Sequence, residues 1–526
     1  MTLTRRQFLT VASLATGSLA VPSISARTAK ESRQAAGLEE KSIAELQAMM
    51  RTGQASAVSL VRFYLQRIDA IDRRGKALRS VIELNPDALD LAAGLDEERR
   101  RQGPRGPLHG IPVLLKDNIA TRDRMQTTAG SLALVGAKAP RDAFLVTRLR
   151  QAGAVILGKT NLSEWANIRS TRSTSGWSAR GGLTRNPYAA ERNTSGSSSG
   201  SAVAIAANLA AVAIGTETDG SIVSPSAMAA LVGFKPTVGL VSRDGIVPIS
   251  HSQDTAGPMA RCVADAAAVL QVIAARDARD KATSGQPEAP PDFLAALDRN
   301  GMAGARLGFA RNPFVTHPEV WKIAEQAVDK LEALGATVVE VEIPNVAKYA
   351  DTELEVLLHE LKADMNAYLA EFAQGAPVRS LEDIIAFNEK HHETEMPWFG
   401  QELFIQAQAK EGLDSPAYLA ALENNRRYSC AEGIDKIMQE HQLDALVAPT
   451  GGPAWLTDLV NGDRDTGGFS TPAAVAGYPH VTVPAGQVSG LPIGLSFVGK
   501  AYAEATLIKL AYAFEQATRA RRPPVL

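Results

Sequence analysis

Cysteine is scarce in this 526-residue chain: there are two, Cys262 and Cys430. That is too few for a disulfide scaffold or a cysteine-ligated structural zinc site, and two buried free thiols are expected. Histidine is sparse as well, with 8 residues and one adjacent pair, His391-His392. In Glu389-Lys390-His391-His392-Glu393 the pair reads as a solvated helix face, because no third ligand stands at a diagnostic spacing. No sign of charge dominates: 55 Lys and Arg face 57 Asp and Glu, a net charge of −2. Without a long like-charge run, nucleic acid and anionic membranes are not expected partners. What is present is the balance of a globular chain, 45% hydrophobic and 21% charged, able to bury a large core and neither disordered nor collagenous.

The first residues carry Thr4-Arg5-Arg6-Gln7-Phe8-Leu9-Thr10, a mild apolar stretch from Val11 to Ala20, and the small residues Ser23, Ser25 and Ala26. The order and spacing are those of a twin-arginine signal peptide over residues 1–26. Phe8 to Ala20 is shorter than the roughly 20 apolar residues that span a bilayer. Export of a folded protein to a periplasm or beyond is therefore expected, with no membrane insertion after signal removal.

From Ser42 to Arg101 the apolar residues recur at helical spacing, so amphipathic helices are expected. Short apolar runs at Ile111–Leu115, Ala154–Leu157 and Ala211–Ile214 read as buried strands, interleaved with helices at Ala143–Ala152 and Ser201–Leu209. The alternation predicts an α/β fold, a sheet with helices on both faces. Helices are expected again at Pro318–Leu334, Thr352–Phe372 and Ala503–Ala520, with a more variable polar stretch from Ser380 to Asp414. Ser170 to Ser201, crowded with Gly, Ser, Thr, Arg and Asn, has a linker's composition but is long for a linker inside a domain, which makes it a site candidate.

Two motifs mislead. Gly153-Ala154-Val155-Ile156-Leu157-Gly158-Lys159-Thr160 satisfies the phosphate-loop pattern, yet its four middle residues are apolar and include the β-branched pair Val155-Ile156, as in a buried strand. A strand ending in a turn is expected, with Thr160 or Asn161 capping a helix at Leu162. Gly196-Ser197-Ser198-Ser199-Gly200 fits the nucleophile elbow centred on Ser198, but Tyr188 to Ser195 lacks the strand an elbow requires. A Ser-His-Asp enzyme using His251 or His480 is thus the second hydrolase reading.

The stronger pattern is a serine cluster, a helix, a strand and a second Gly-Ser turn: Ser195-Gly196-Ser197-Ser198-Ser199-Gly200-Ser201, then Gly215-Thr216-Glu217-Thr218-Asp219-Gly220-Ser221. Upstream stands Gly110-Ile111-Pro112-Val113-Leu114-Leu115-Lys116-Asp117-Asn118. With Gly158-Lys159-Thr160-Asn161, Gly233 to Leu240 and Gly490 to Leu495, this resembles the amidase signature hydrolases over about residues 39–522. The resemblance implies one catalytic domain of that extent, with a mixed central β-sheet covered by helices on both faces. It implies a Ser-Ser-Lys triad of Lys116, Ser197 and Ser221, the two serines 24 residues apart, and no metal or cofactor. Burial would favour the neutral Lys116 amine as base. Backbone N–H groups of Thr218, Asp219 and Gly220 would receive the oxyanion, with the Asp219 carboxylate directed away, toward a substrate amine or the arginine-rich loop.

The implied activity is hydrolysis of a linear carboxamide to acid and ammonia through an acyl-enzyme. Stretches such as Ser175 to Gly182 and Val238 to Ser250 resemble the bacterial peptide amidases, which act on the C-terminal amide of peptides. Ala229-Ala230 and Val223 depart from common family residues and bear on the substrate pocket. The alternatives are an amidase of small aliphatic or aryl amides, an amidotransferase A-type subunit, and a catalytically silent binding protein.

Overall fold

The computed structural model describes residues 37–287, 291–312 and 314–526; the twin-arginine segment lies outside them. Its contacts divide the chain into Met1–Glu39 and Glu40–Leu526. The second unit carries the strands β1 (Val81–Leu84), β2 (Pro112–Lys116), β3 (Val155–Thr160), β4 (Trp177–Ser178), β5 (Gly182–Leu183), β6 (Val212–Glu217), β7 (Val232–Lys235), β8 (Thr255–Ala260), β9 (Arg306–Ala310), β10 (Thr337–Val341), β11 (Ala445–Pro449), β12 (His480–Val488) and β13 (Leu491–Val498). Among the described residues, 11 of them form one sheet in the order β1-β3-β2-β6-β8-β7-β12-β13-β11-β9-β10. The sheet is mixed: β3, β2 and β6 run parallel, β6 to β11 pair antiparallel through β8, β7, β12 and β13, and β11, β9 and β10 are parallel again. Helices flank it, as the strand and helix alternation predicts.

Small residues let helices approach the sheet closely. Helix Ser199–Ala206 reads SGSAVAIA, and all eight residues are buried, as expected of a helix apolar on every side. Gly200 on this helix is fixed by space: a Cβ there would lie 2.4 Å from the carbonyls of both Ser80 and Asn161. Gly200→Ala should therefore destabilise the fold by about 1–3 kcal/mol, the usual range for forcing an extra carbon into a packed core; a denaturant midpoint equal to that of the native chain would contradict this.

Three expectations need correction. Val81–Leu84, read within a helical stretch, is a strand because it pairs antiparallel with β3; tertiary pairing outweighs local pattern here. No helix begins at Leu162: β3 runs to Thr160, and a short turn at Glu164–Asn167 follows. Ser380–Asp414 holds helices at Leu381–Lys390, His392–Glu395 and Glu402–Gln408, anchored by buried Leu381, Ile384, Leu403 and Phe404. Within this stretch His391 and His392 are exposed. Both cysteines are unpaired and partly buried. No helix among the described residues is long and apolar enough to cross a membrane.

Candidate active site

Three adjacent parallel strands, β3, β2 and β6, run past their apolar cores into polar residues, and there the predicted residues meet. Lys116, the last residue of β2, is fully buried. Its Nζ lies 2.7 Å from Ser197 Oγ, 2.9 Å from Thr216 Oγ1 and 3.1 Å from the Thr216 carbonyl. Asn118 Nδ2 also donates to Thr216 Oγ1, at 2.9 Å. Burial draws the Lys116 amine down to about 7, against the opposing attraction of Asp254 and Glu217. Removing water from around an ammonium favours its neutral form.

Ser197 is fully buried and follows Gly196 in a tightly enclosed loop. A Cβ on Gly196 would fall 2.2 Å from Ser163 Oγ, so a side chain here would require the Ser163 hydroxyl to move. The Ser197 carbonyl accepts from Ser163 N–H at 3.0 Å, and Ser198 N–H donates to the Ser221 carbonyl at 3.1 Å. That bond ties the serine cluster to the second turn. Ser221 keeps 8% of its surface exposed, whereas Lys116 and Ser197 keep none. The order of depth is thus Ser221 outermost, with Ser197 and Lys116 behind.

The turn carrying Ser221 is pinned by side chains from four directions. Glu217 Oε2 accepts from Ile222 N–H at 2.7 Å and Val223 N–H at 3.0 Å. Thr218 Oγ1 donates to Asp254 Oδ1 at 2.6 Å, and Gln253 Nε2 donates to the Thr218 carbonyl at 3.3 Å. Asp219 Oδ2 accepts from Thr471 Oγ1 at 2.7 Å. Its carboxylate is thereby engaged by the segment at Ser470-Thr471 and not by the arginine-rich loop, which corrects that half of the expectation; Oδ1 has no hydrogen-bond partner among the described residues. Gly220 adopts φ +75°, a conformation that favours glycine. The N–H groups of Asp219, Gly220 and Ser221 find no intramolecular acceptor among the described residues, which leaves consecutive donors available at the Ser221 turn.

Glu353 borders this turn through Gln253, whose Nε2 also donates to Glu353 Oε1 at 2.8 Å. Burial, reinforced by the nearby Asp219 carboxylate, pushes Glu353 up to about 8, and burial raises Asp219 as well. A neutral Glu353 at neutral pH limits the negative charge beside the turn.

The serine-rich loop is a knitted structure, not a linker. β4 and β5 pair within it, Asn161 Nδ2 donates to the Gly182 carbonyl and Thr184 Oγ1 at 2.9 Å each, and Arg180 bridges Asp117 and Glu83.

The competing motifs take up other roles. Val155–Thr160 is a continuous buried strand, with Lys159 Nζ donating to the Ile119 carbonyl and Thr127 Oγ1 at 2.7 Å each. Ser198 Oγ donates to the Thr216 carbonyl at 3.0 Å and accepts from Thr216 N–H at 3.2 Å; it has no histidine partner. His480 is buried against Ser496 Oγ at 2.6 Å, and His251 pairs with Asp364 at 2.9 Å. His251, Asp364 and Glu360 offer ligand atoms within 4.8 Å of one another. The Glu360 oxygens, however, already accept from Ser250 Oγ, Ser252 N and Oγ, and Tyr418 Oη. This is a saturated hydrogen-bond hub that does not fit a cation.

Sequence reasoning missed Thr216, Asn118, Gln253, Asp254 and Glu353. Thr216 and Asn118 sit inside the motifs given above, Thr216 as a polar residue continuing the buried strand β6 and Asn118 in the turn that follows β2. The other three come from distant segments.

A sheet of this order, enclosing a buried amine, two serines and a turn with unused N–H donors, defines a hydrolase of the amide class when set beside its relatives. The Amidase family pattern matches residues 59–508. The peptide amidase from Stenotrophomonas maltophilia is 56% identical, with a TM-score of 0.89 over 93% of this chain and 99% of that one. A probable amidase of Arabidopsis thaliana is 43% identical over 93% of this chain and 92% of its own length. The A-type subunit of the glutamyl-tRNA(Gln) amidotransferase of Symbiobacterium thermophilum is 35% identical over 91% and 97%. The chain belongs to the amidase signature family and is an amide hydrolase.

Proposed function

We propose that this enzyme hydrolyses the C-terminal carboxamide of peptides to a free carboxylate and ammonia, using Ser221 as nucleophile, Ser197 as proton bridge and Lys116 as base. The observation that carries the reading is the 2.7 Å contact of the buried Lys116 Nζ with Ser197 Oγ. A neutral amine has two hydrogens and one lone pair. The carbonyl and Oγ1 of Thr216, at 3.1 and 2.9 Å, accept the two hydrogens, which turns the lone pair toward the Ser197 hydroxyl.

The Ser197 proton then moves to Lys116 while Ser197 takes the proton of Ser221, whose oxygen attacks the amide carbon. The oxyanion is received by the N–H groups of the Thr218-Asp219-Gly220-Ser221 turn. Collapse breaks the C–N bond, and Ser197 returns a proton to the leaving nitrogen, which departs as ammonia. Water adds to the Ser221 ester by the same route in reverse and releases the acid. The residues need no metal or cofactor for these steps.

The peptide substrate is supported by the likeness to the Stenotrophomonas enzyme, and the twin-arginine segment supports an exported protein. The 35% identical amidotransferase chain favours a second reading, release of ammonia for transfer to a charged tRNA. Mass spectrometry of products from a peptide-amide library tests both. A gain of about one dalton at the C-terminus, from exchange of NH2 for OH, with internal peptide bonds intact, is the expected result. Turnover of small aliphatic or aryl amides alone, or of glutamine alone, would overturn the peptide assignment.

A further inference from the structure

Asp254 lies outside every motif that marks the site, immediately before β8, yet its carboxylate accepts three hydrogen bonds, from the turn that carries Ser221 and from the loop facing it. Oδ1 accepts from Thr218 Oγ1 at 2.6 Å, at the start of the nucleophile turn. Oδ2 accepts from Ile249 N–H at 2.8 Å and Ser250 N–H at 2.9 Å, on the facing loop. Asp254 and Thr218 also line one small cavity with Asn118, Thr216 and Arg243, and Thr216 is the residue that holds Lys116 Nζ. We propose that Asp254 is a positioning residue of the hydrolytic site: one carboxylate orders the oxyanion turn and the facing loop while presenting a negative charge to the Lys116 amine. The inference rests on the Ser221-Ser197-Lys116 reading above.

The charges around the pair are few. Lys116 is faced by Asp254 and by Glu217 from β6. Asp254 is faced by Arg243, which is itself held by Asp280 and influenced by Asp364. Burial pushes Asp254 up to about 6 and draws Lys116 down to about 7, so the carboxylate is largely ionised at the midpoint of the amine's titration and loses its charge only on the acid side of it. An anion stabilises the ammonium, so its removal must lower the proton affinity of Lys116. The neutral, active amine would then persist to lower pH.

The test is Asp254→Asn, whose amide oxygen can keep the two N–H bonds and whose NH2 can donate to Thr218 Oγ1. The readout is the pH dependence of phosphonylation of Ser221 by a fluorophosphonate, which forms an O–P bond and expels fluoride. The acid limb should move down by roughly one pH unit, the lower end of the effect of a neighbouring opposite charge. At pH 6 the fraction of the maximal rate should rise several-fold, toward about a half. Thr218→Val, which breaks the 2.6 Å bond but keeps the charge, should lower the maximal rate and leave the limb in place. A limb that is unmoved or raised in Asp254→Asn overturns the electrostatic part, and a wild-type maximal rate in Thr218→Val overturns the positioning part. Should Asp254→Asn fail to fold by circular dichroism, Thr218→Val still decides the second part, and Asp254→Ser, which likewise removes the charge, decides the first. Retained labelling in Ser221→Ala would instead refute the hydrolytic reading itself, whereas an inert Ser221→Ala with an Asp254→Asn limb like the wild type refutes this inference alone.

Discussion

Ser221→Ala is expected to lower kcat on a peptide amide by about 10⁴-fold or more, the scale on which loss of a nucleophile acts when the rest of the apparatus remains. KM should change little, because the hydroxyl is needed for bond formation and not for holding the ground state. The fold should survive, since the bond that ties this residue to the serine cluster uses its backbone carbonyl, accepting from Ser198 N–H at 3.1 Å. Steady-state ammonia release with a melting curve on the same preparation checks both halves. Substantial turnover by a folded Ser221→Ala would remove this residue from the chemistry.

The second large effect concerns Lys116. Lys116→Ala should cost about 10³–10⁴-fold in kcat, as expected for loss of a general base in a unit whose members act together. The sharper expectation is that Lys116→Arg is no better than Lys116→Ala. A guanidinium keeps the positive charge and the donors but cannot be deprotonated in a protein, so a role that required only a buried cation would be rescued while a base would not. Substantial activity in Lys116→Arg, measured as ammonia release at pH 8, would mean that the residue works as a charge.

The alternation of apolar runs and helices was enough to predict a sheet flanked by helices, and the central strands lie where the apolar runs place them. Each strand nevertheless continues beyond its run: β2 to Lys116, β3 through Gly158-Lys159-Thr160, and β6 through Gly215-Thr216-Glu217. Polar residues read as strand ends because burying them is costly unless they are hydrogen-bonded. Here they are bonded, Lys116 to Ser197 and Thr216, and Lys159 to Ile119 and Thr127. Lys116, the proposed base, and Thr216, which holds its amine, lie in those extensions. A similar blindness hid β1, a four-residue edge strand that exists because β3 offers it a partner.

Local motifs brought Lys116, Ser197 and Ser221 into view together. What they could not convey is the bracing of the second turn. Gln253 and Asp254 precede β8, Glu353 lies on the helix Ala350–Phe372, and Thr471 is far along the chain. None of them shares a local pattern with Ser221, because side chains that meet through tertiary packing leave no spacing to read. The direction of the Asp219 carboxylate was illegible for the same reason: its partner, Thr471, is 252 residues away.

Kept from water, the Lys116 amine is expected to be neutral at working pH, and on this the proposed chemistry depends. The most direct measurement is the rate of fluorophosphonate labelling of wild-type Ser221 as a function of pH, with Lys116→Ala alongside. The rate should rise through a single ionisation near 7, where burial places the amine, and the limb should vanish with the lysine. A rate that keeps rising toward the ordinary lysine range near 10, or a limb near 7 that survives in Lys116→Ala, would contradict the claim.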